Sequence, residues 1–372
     1  MIERAVAHID LGALEHNVQH IRVQLSGATK LCVVVKANGY GHGDTWCAKA
    51  ALAGGADWLA VAAAEEAVEM RRHGIDAPLL VMGGLTAEDA RAAVESAADV
   101  VAWEPGFVDA LARTAEATGI TARVHIKLDS GMGRFGTKDP ELALALGTQV
   151  ADAEHLELIG LMTHFATADE RGDDYFPKQL EIFTTLAERF REQHPGVIVH
   201  AANSPATFRD KQSHFDMVRC GVAVYGLDPF QEDASERGLE PVLSLSSWVA
   251  AVRRFEQGDS AGYGRAWTAS EPTWVATIPI GYGDGWNRAL TNNADVLIGR
   301  RRYPLAGRVS MDNITVDLGP ETDVKPGDPA VLIGAQGEQR ITAEEVAKRL
   351  GTINYEVTCA LTPRVRRHWI HA

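Results

Sequence analysis

The stretch Leu31-Cys32-Val33-Val34-Val35-Lys36-Ala37-Asn38-Gly39-Tyr40-Gly41-His42-Gly43 sets the reading of the chain. Residues 31–35 form a continuous apolar run, too short for a buried helix and followed by a glycine-rich segment. They read as a strand covered on both faces. Lys36 ends it. Ammonium groups are seldom fully buried, so this lysine is either a strand-capping surface residue or an amine held in a site. Lysine amines in such places form Schiff bases with carbonyl compounds. By itself the stretch gives a candidate amine beside a flexible, polar loop.

Outward from Lys36, short apolar runs alternate with helical periodicities. Asp10 can cap a helix on which Leu11, Leu14, Val18 and Ile21 recur. Helices are expected near 45–54, 65–73, 87–96, 105–117, 140–153 and 175–193, with a short one after Ser204. Between them lie strands at 58–62, 78–82, 99–102, 123–128, 156–163, 197–201 and 217–220. Counted from residue 31 this makes eight strands, and strictly alternating units of that number predict a (β/α)8 barrel. Lys36, Lys127, Asp129, His164, Asn203 and Arg219 each fall at the C-terminal end of an expected strand, where barrel enzymes gather their active sites.

Past Leu227-Asp228-Pro229 a polar stretch leads to apolar segments punctuated by Gly and Pro, which predicts a mainly β C-terminal domain. One helix stands out there, with a capping-box pattern at Thr342 and Glu345 and a stop at Gly351. The domains are therefore expected at 1–235 and 236–372.

Charge and cysteines narrow the function. With 36 Lys+Arg against 50 Asp+Glu, the formal charge of −14 argues against nucleic acid and anionic membrane surfaces as partners. An anionic ligand must be held by local groups. Cys32, Cys47, Cys220 and Cys359 show no paired metal spacing and read as reduced thiols, mostly core filler, so no metal is expected. The N-terminal Met1-Ile2-Glu3-Arg4-Ala5-Val6 lacks the pattern of a secretion signal, and no run of 18 apolar residues occurs. A cytoplasmic protein without a membrane anchor is the expectation.

The Val34-to-Gly43 block closely resembles the pyridoxal-phosphate motif of the alanine racemase family, and further blocks match across nearly the whole chain. The resemblance implies that the first strand, about residues 1–10, pairs with the C-terminal domain, and that Lys36 carries pyridoxal 5'-phosphate, with Tyr40 also at the cofactor. Lys127-Leu128-Asp129-Ser130-Gly131-Met132-Gly133-Arg134 matches a second block, in which Arg134 meets the substrate carboxylate and Lys127 is carbamylated. Read alone, Arg134 offers only a planar fork suited to a carboxylate, and surface arginine beside a turn is commoner. His164 read alone could equally be a buried, hydrogen-bonded histidine. The family places it near the cofactor ring and the catalytic tyrosine, together with Asn203 and Ser204, whose hydroxyl and neighbouring N–H groups suit a phosphate.

Arg219-Cys220-Gly221-Val222 matches the block that sets an arginine against the pyridine nitrogen, with the amides of Gly221 and Val222 on the phosphate. An arginine can only donate, so it disfavours a protonated ring and should restrain transamination. Tyr263, in Gly262-Tyr263-Gly264, aligns with the second base, which acts opposite Lys36 and belongs to the partner subunit. Racemisation needs two groups, one on each face. A phenol is a poor base at neutral pH unless neighbours favour its anion, a task for Arg219 and His164. The backbone of Met311 would bind the substrate carboxylate, and Tyr355 would lie at the phosphate and the site entrance. Phe135, Ala261 and the Arg265-Ala266-Trp267 continuation depart from the usual pattern around the substrate.

The implied function is a homodimeric racemase with shared active sites, interconverting L- and D-alanine to supply D-alanine for peptidoglycan. Serine or broad-spectrum racemases of the same family are the alternative, because a methyl is discriminated from a slightly larger group by only about 1–3 kcal/mol. Related decarboxylases are disfavoured by the Arg219 block and the chain length, and non-catalytic cofactor carriers by the second domain and Tyr263.

Overall fold

The computed structural model describes residues 3–371; Met1, Ile2 and Ala372 lie outside the described residues. Strand β1 (Val6–Asp10) comes first and belongs to a β unit taken up below. Eight strands then close into a parallel barrel: β2 (Lys30–Val34), β3 (Trp58–Val61), β4 (Leu79–Val81), β5 (Asp99–Ala102), β6 (Ala122–Lys127), β7 (Leu156–Met162), β8 (Ile198–His200) and β9 (Met217–Cys220). Closure runs through β2 against β9, with Cys32 opposite Arg219. β3, β4, β5 and β9 are buried along their whole length, as strands covered on both faces must be. Local chemistry sets the helix ends. Asp139 accepts the Glu141 N–H to start Pro140–Asp152, and Gly119 at φ 68° ends Pro105–Thr118.

The β unit draws on the described residues up to Ala13, on Gly41–Gly43, and on the chain from Tyr225. Its strands are β10 (Leu243–Trp248), β11 (Ala251–Phe255), β12 (Ser260–Ala261), β13 (Trp267–Thr268), β14 (Thr273–Ile278), β15 (Asp295–Ile298), β16 (Arg301–Pro304), β17 (Ile314–Gly319), β18 (Pro329–Gln336), β19 (Gln339–Ile341) and β20 (Arg366–Ile370). The main sheet has the order β16-β15-β18-β10-β1-β20, so the first strand of the chain pairs antiparallel with β10 and parallel with β20.

The division falls at Tyr225 rather than at the residue-235 boundary read from composition. Tyr225, Leu227 and Asp228 are buried, and the stretch is tied into the β unit. The Asp228 carboxylate pairs with Arg237 at 3.0 Å, the Asp228 N–H donates to Glu344, and Asn354 donates to the Asp228 carbonyl at 2.9 Å. Thr342 caps helix Ala343–Leu350 by accepting the Glu345 N–H, but the Glu345 carboxylate goes to Arg302 and Arg349 instead of completing the box. A second helix, Asn354–Cys359, was not expected. Cys359 is exposed, whereas the other three cysteines are buried.

Candidate active site

Lys36 follows β2 and opens a turn that sequence did not suggest. Ala37, Asn38, Gly39 and Tyr40 all have left-handed backbone, with φ between 53° and 59°. Only glycine adopts this without cost, so Ala37, Asn38 and Tyr40 are strained by roughly 1–2 kcal/mol each. Glu66 holds the turn. One carboxylate oxygen accepts the Ala37 N–H at 2.7 Å and the other accepts Ala62 and Ala63 at 2.7 and 3.1 Å. The flexible loop of the sequence reading is therefore a braced turn, and Glu66 is a residue that reading missed.

Tyr40, at the end of the turn, reaches Gly221. A Cβ at Gly221 would lie 2.3 Å from the Tyr40 hydroxyl, which is why glycine stands there. The Ser204 hydroxyl accepts the Gly221 N–H at 3.0 Å and the Ala223 N–H at 3.4 Å. Tyr40, Ser204 and Gly221 thus form one cluster of hydroxyls and a backbone amide, with Val222 next along the chain, and hydroxyls and amides of this kind suit a phosphate ester. Asn203 serves differently: its amide oxygen caps Ser204–Arg209 and its NH2 donates to the Phe165 carbonyl at 3.4 Å.

The cations gather beside this cluster. Arg219 is 3% exposed and donates to the Thr163 carbonyl at 2.8 Å, the Ala201 carbonyl at 2.9 Å, His200 Nδ1 at 2.9 Å and His164 Nδ1 at 3.3 Å. Burial lowers it to about 10, so it remains protonated at neutral pH. Lys127 ends β6, 5% exposed, and is lowered to about 8 by burial first and by Arg219 and Arg134 next. Burial and the same cations, with Lys36, keep His164 neutral by holding it well below the usual histidine range. The Arg219 guanidinium, which has no acceptor, lies against His164 Nδ1 at 3.3 Å and favours the tautomer with the proton on Nε2.

Arg134 stands in a glycine loop ordered from within. Asp129 accepts the N–H groups of Gly131 and Gly133 at 3.0 Å each, and the Tyr175 hydroxyl donates to the Gly131 carbonyl at 3.0 Å. Phe135, one of the departures, lies with its ring 5.6 Å from Lys127 Nζ and 5.1 Å from Trp103. A cation over an aromatic face gains by the ring quadrupole.

Tyr263, Met311 and Tyr355 belong to the β unit. Tyr263 opens a short turn after β12 and is 72% exposed, with Arg265 donating to Ser260 at 2.9 Å across the turn. Met311 sits on a loop pinned by Arg364, which pairs with Asp312 at 2.6 Å and Asp284 at 3.2 Å. The Gly283 N–H donates to the Met311 carbonyl at 2.9 Å, joining the two glycine-rich blocks. Tyr355 is half-buried on Asn354–Cys359.

Comparison with known proteins identifies the family. Residues 9–229 match the family model "Alanine racemase, N-terminal domain" and residues 242–369 match "Alanine racemase, C-terminal domain". An alanine racemase of Symbiobacterium thermophilum is 42% identical over 364 residues, covering 98% of this chain and 96% of the relative. Alanine racemase 1 of Bacillus subtilis is 38% identical over 98% of this chain and 92% of its own length. Among solved structures, alanine racemase from D-cycloserine-producing Streptomyces lavendulae superposes with a TM-score of 0.95 at 35% identity, covering 100% of this chain and 98% of that one. The Bacillus anthracis alanine racemase with bound L-Ala-P gives 0.91 at 37% identity, covering 100% and 96%. With both units matched and the relatives aligned nearly end to end, the chain belongs to the alanine racemase family.

Proposed function

We propose that the protein interconverts L- and D-alanine with pyridoxal 5'-phosphate, in the cytoplasm, supplying D-alanine for peptidoglycan. The observation that carries this reading is the gathering of Lys36, Lys127, Arg134 and Arg219 around a neutral His164, beside a phosphate-suited cluster, in a chain of net charge −14. The cofactor, when bound, supplies an aldehyde for the Lys36 and substrate amines and a conjugated ring that accepts the electron pair left by the departing α-proton.

Tyr40, Ser204, Gly221, Val222 and Tyr355 would hold the phosphate, and Arg219 would face the ring nitrogen. Arg219 only donates, so it withholds a proton from that nitrogen and restrains transamination. Arg134 and the Met311 backbone take the substrate carboxylate. Lys36 Nζ moves the α-proton on one face and the Tyr263 hydroxyl on the other. His164 Nε2–H can donate to the Tyr263 oxygen when it is an anion. Lys127, about a tenth neutral at pH 7, has a nucleophilic amine for CO2; the carbamate and a released proton are the products, and an anion then faces Arg134.

Tyr263 is too exposed to serve its own core, and we assign it to the site of a second copy in a homodimer with shared active sites. The test follows α-proton exchange in deuterated water for alanine, serine and larger amino acids, with borohydride reduction to map the cofactor. Alanine should exchange fastest and Lys36 should carry the label. Exchange of none of them, preference for serine, or a label elsewhere contradicts the assignment.

A further inference from the structure

Beneath Arg219 the barrel interior holds a file of polar side chains that the reaction does not touch. Arg219 Nη1 lies 2.9 Å from His200 Nδ1, and His200 Nε2 lies 2.9 Å from His125 Nδ1. His125 Nε2 is 3.1 Å from Asp99 Oδ2, and Asp99 Oδ1 takes Arg123 Nε at 2.8 Å. Asp99 is 2% exposed and both histidines are fully buried. The strands explain the line: Arg123, His125 and Lys127 alternate along β6 onto one face, while Asp99 begins β5 and His200 ends β8.

Only one proton arrangement satisfies every contact. An arginine has no acceptor, so His200 Nδ1 must be bare and its proton must sit on Nε2. That proton points at His125 Nδ1, which must also be bare, leaving the His125 proton on Nε2 to be donated to Asp99. Asp99, accepting from Arg123 on its other oxygen, closes the sequence as an acceptor at both ends. Burial agrees, holding His200 well below the usual histidine range and hence neutral.

We propose that Asp99 is a positioning residue for Arg219: through His125 and His200 it fixes the histidine tautomers so that an acceptor always faces the guanidinium. Arg123 is half-buried and also meets Glu157 at 3.0 Å, and an Asp99–Arg123 pair serving stability alone would need neither buried histidine, since apolar side chains of similar volume fill such space at no loss. The tautomers stand on the contacts themselves. Their effect on the reaction rests on the reading that Arg219 faces the ring nitrogen.

Asp99→Asn inverts the file. An amide has one oxygen and one NH2, and the charged Arg123 claims the oxygen. The NH2 then meets His125 Nε2, which must accept; both histidine protons move to Nδ1, and His200 presents a donor to Arg219 at 2.9 Å. Adding Arg123→Met releases the amide oxygen to His125 and restores the original order.

The test reads imidazole 15N shifts of selectively labelled holoenzyme, together with the ratio of pyridoxamine phosphate formed to turnover. In the wild type His200 Nδ1 should show the shift of an unprotonated nitrogen. In Asp99→Asn it should move to the protonated range and the by-product ratio should rise several-fold. In Asp99→Asn/Arg123→Met both should return toward wild type, whereas loss of a merely structural ion pair would leave the double variant no better than the single. A protonated His200 Nδ1 in the wild type overturns the proposal and needs no variant. So does an unmoved tautomer in folded Asp99→Asn, or a double variant without recovery. Inversion without a change in by-product supports the relay and counts instead against placing Arg219 at the ring nitrogen.

Discussion

Lys127 shows how far neighbours decide the state of a single side chain. Its folded-state pKa of about 8 lies below the ordinary 10.5, so between those values the unfolded chain holds a proton that the folded one has lost. Stability must therefore rise with pH across that window, and the cost of the buried charge is fully present below pH 8. In CO2-free buffer, denaturant midpoints should show the wild type gaining up to about 3 kcal/mol between pH 7 and 10.5 relative to Lys127→Met. A parallel pH profile for the two proteins would show that the amine is not perturbed by folding. With 13C-labelled bicarbonate, a carbamate carbonyl signal should appear in the wild type and be missing in Lys127→Met. At this scale strand-end position marked Lys36 and Arg219 as candidates, and only the resemblance of its glycine-rich block marked Arg134. It could not mark Asp99, His125 and His200, since nothing local distinguishes a buried strand polar that meets partners from three other strands.

The left-handed turn after Lys36 belongs to the scale of elements. Ala37 and Asn38 carry no glycine signal, and the turn is braced at Ala37 by Glu66 from the start of the helix after β3. Capping by Asp10 and Thr342 was legible because donor and acceptor lie within three residues; the turn was not, because its support lies 29 residues away. Glu66→Gln has one oxygen for the three N–H groups and sets an NH2 against at least one of them. It should cost about 1–3 kcal/mol in chemical denaturation. Ala37→Gly, which removes the left-handed penalty, should change stability by less than about 1 kcal/mol, against the usual loss on inserting glycine. A large loss in Ala37→Gly would show that the strain is not borne at that residue.

On the scale of the molecule, alternation of strand and helix made the barrel legible, and the change of texture after residue 229 made the β unit legible. The assignment of Gly41–Gly43 was not, because it depends on partners far along the chain: Trp369 donates to the His42 carbonyl at 3.0 Å and Arg367 to the Gly41 carbonyl at 3.1 Å. If Tyr263 serves a second copy, Lys36→Ala and Tyr263→Ala should each be nearly inactive alone. Mixed in equal amounts with exchange verified, they should regain roughly one quarter of wild-type activity, because about half the dimers are mixed and one site in each is intact. No recovery would place both bases in one chain. The position of β1 between β10 and β20 also has a meaning in time. On the ribosome β1 is made before the barrel strands, yet it must wait for one neighbour that begins at Leu243 and another that begins at Arg366. While the barrel is being made the nascent chain therefore carries β1 unpaired, and through most of the β unit β1 still lacks its β20 neighbour. The sheet that would cover it cannot be completed until every other described strand has been translated.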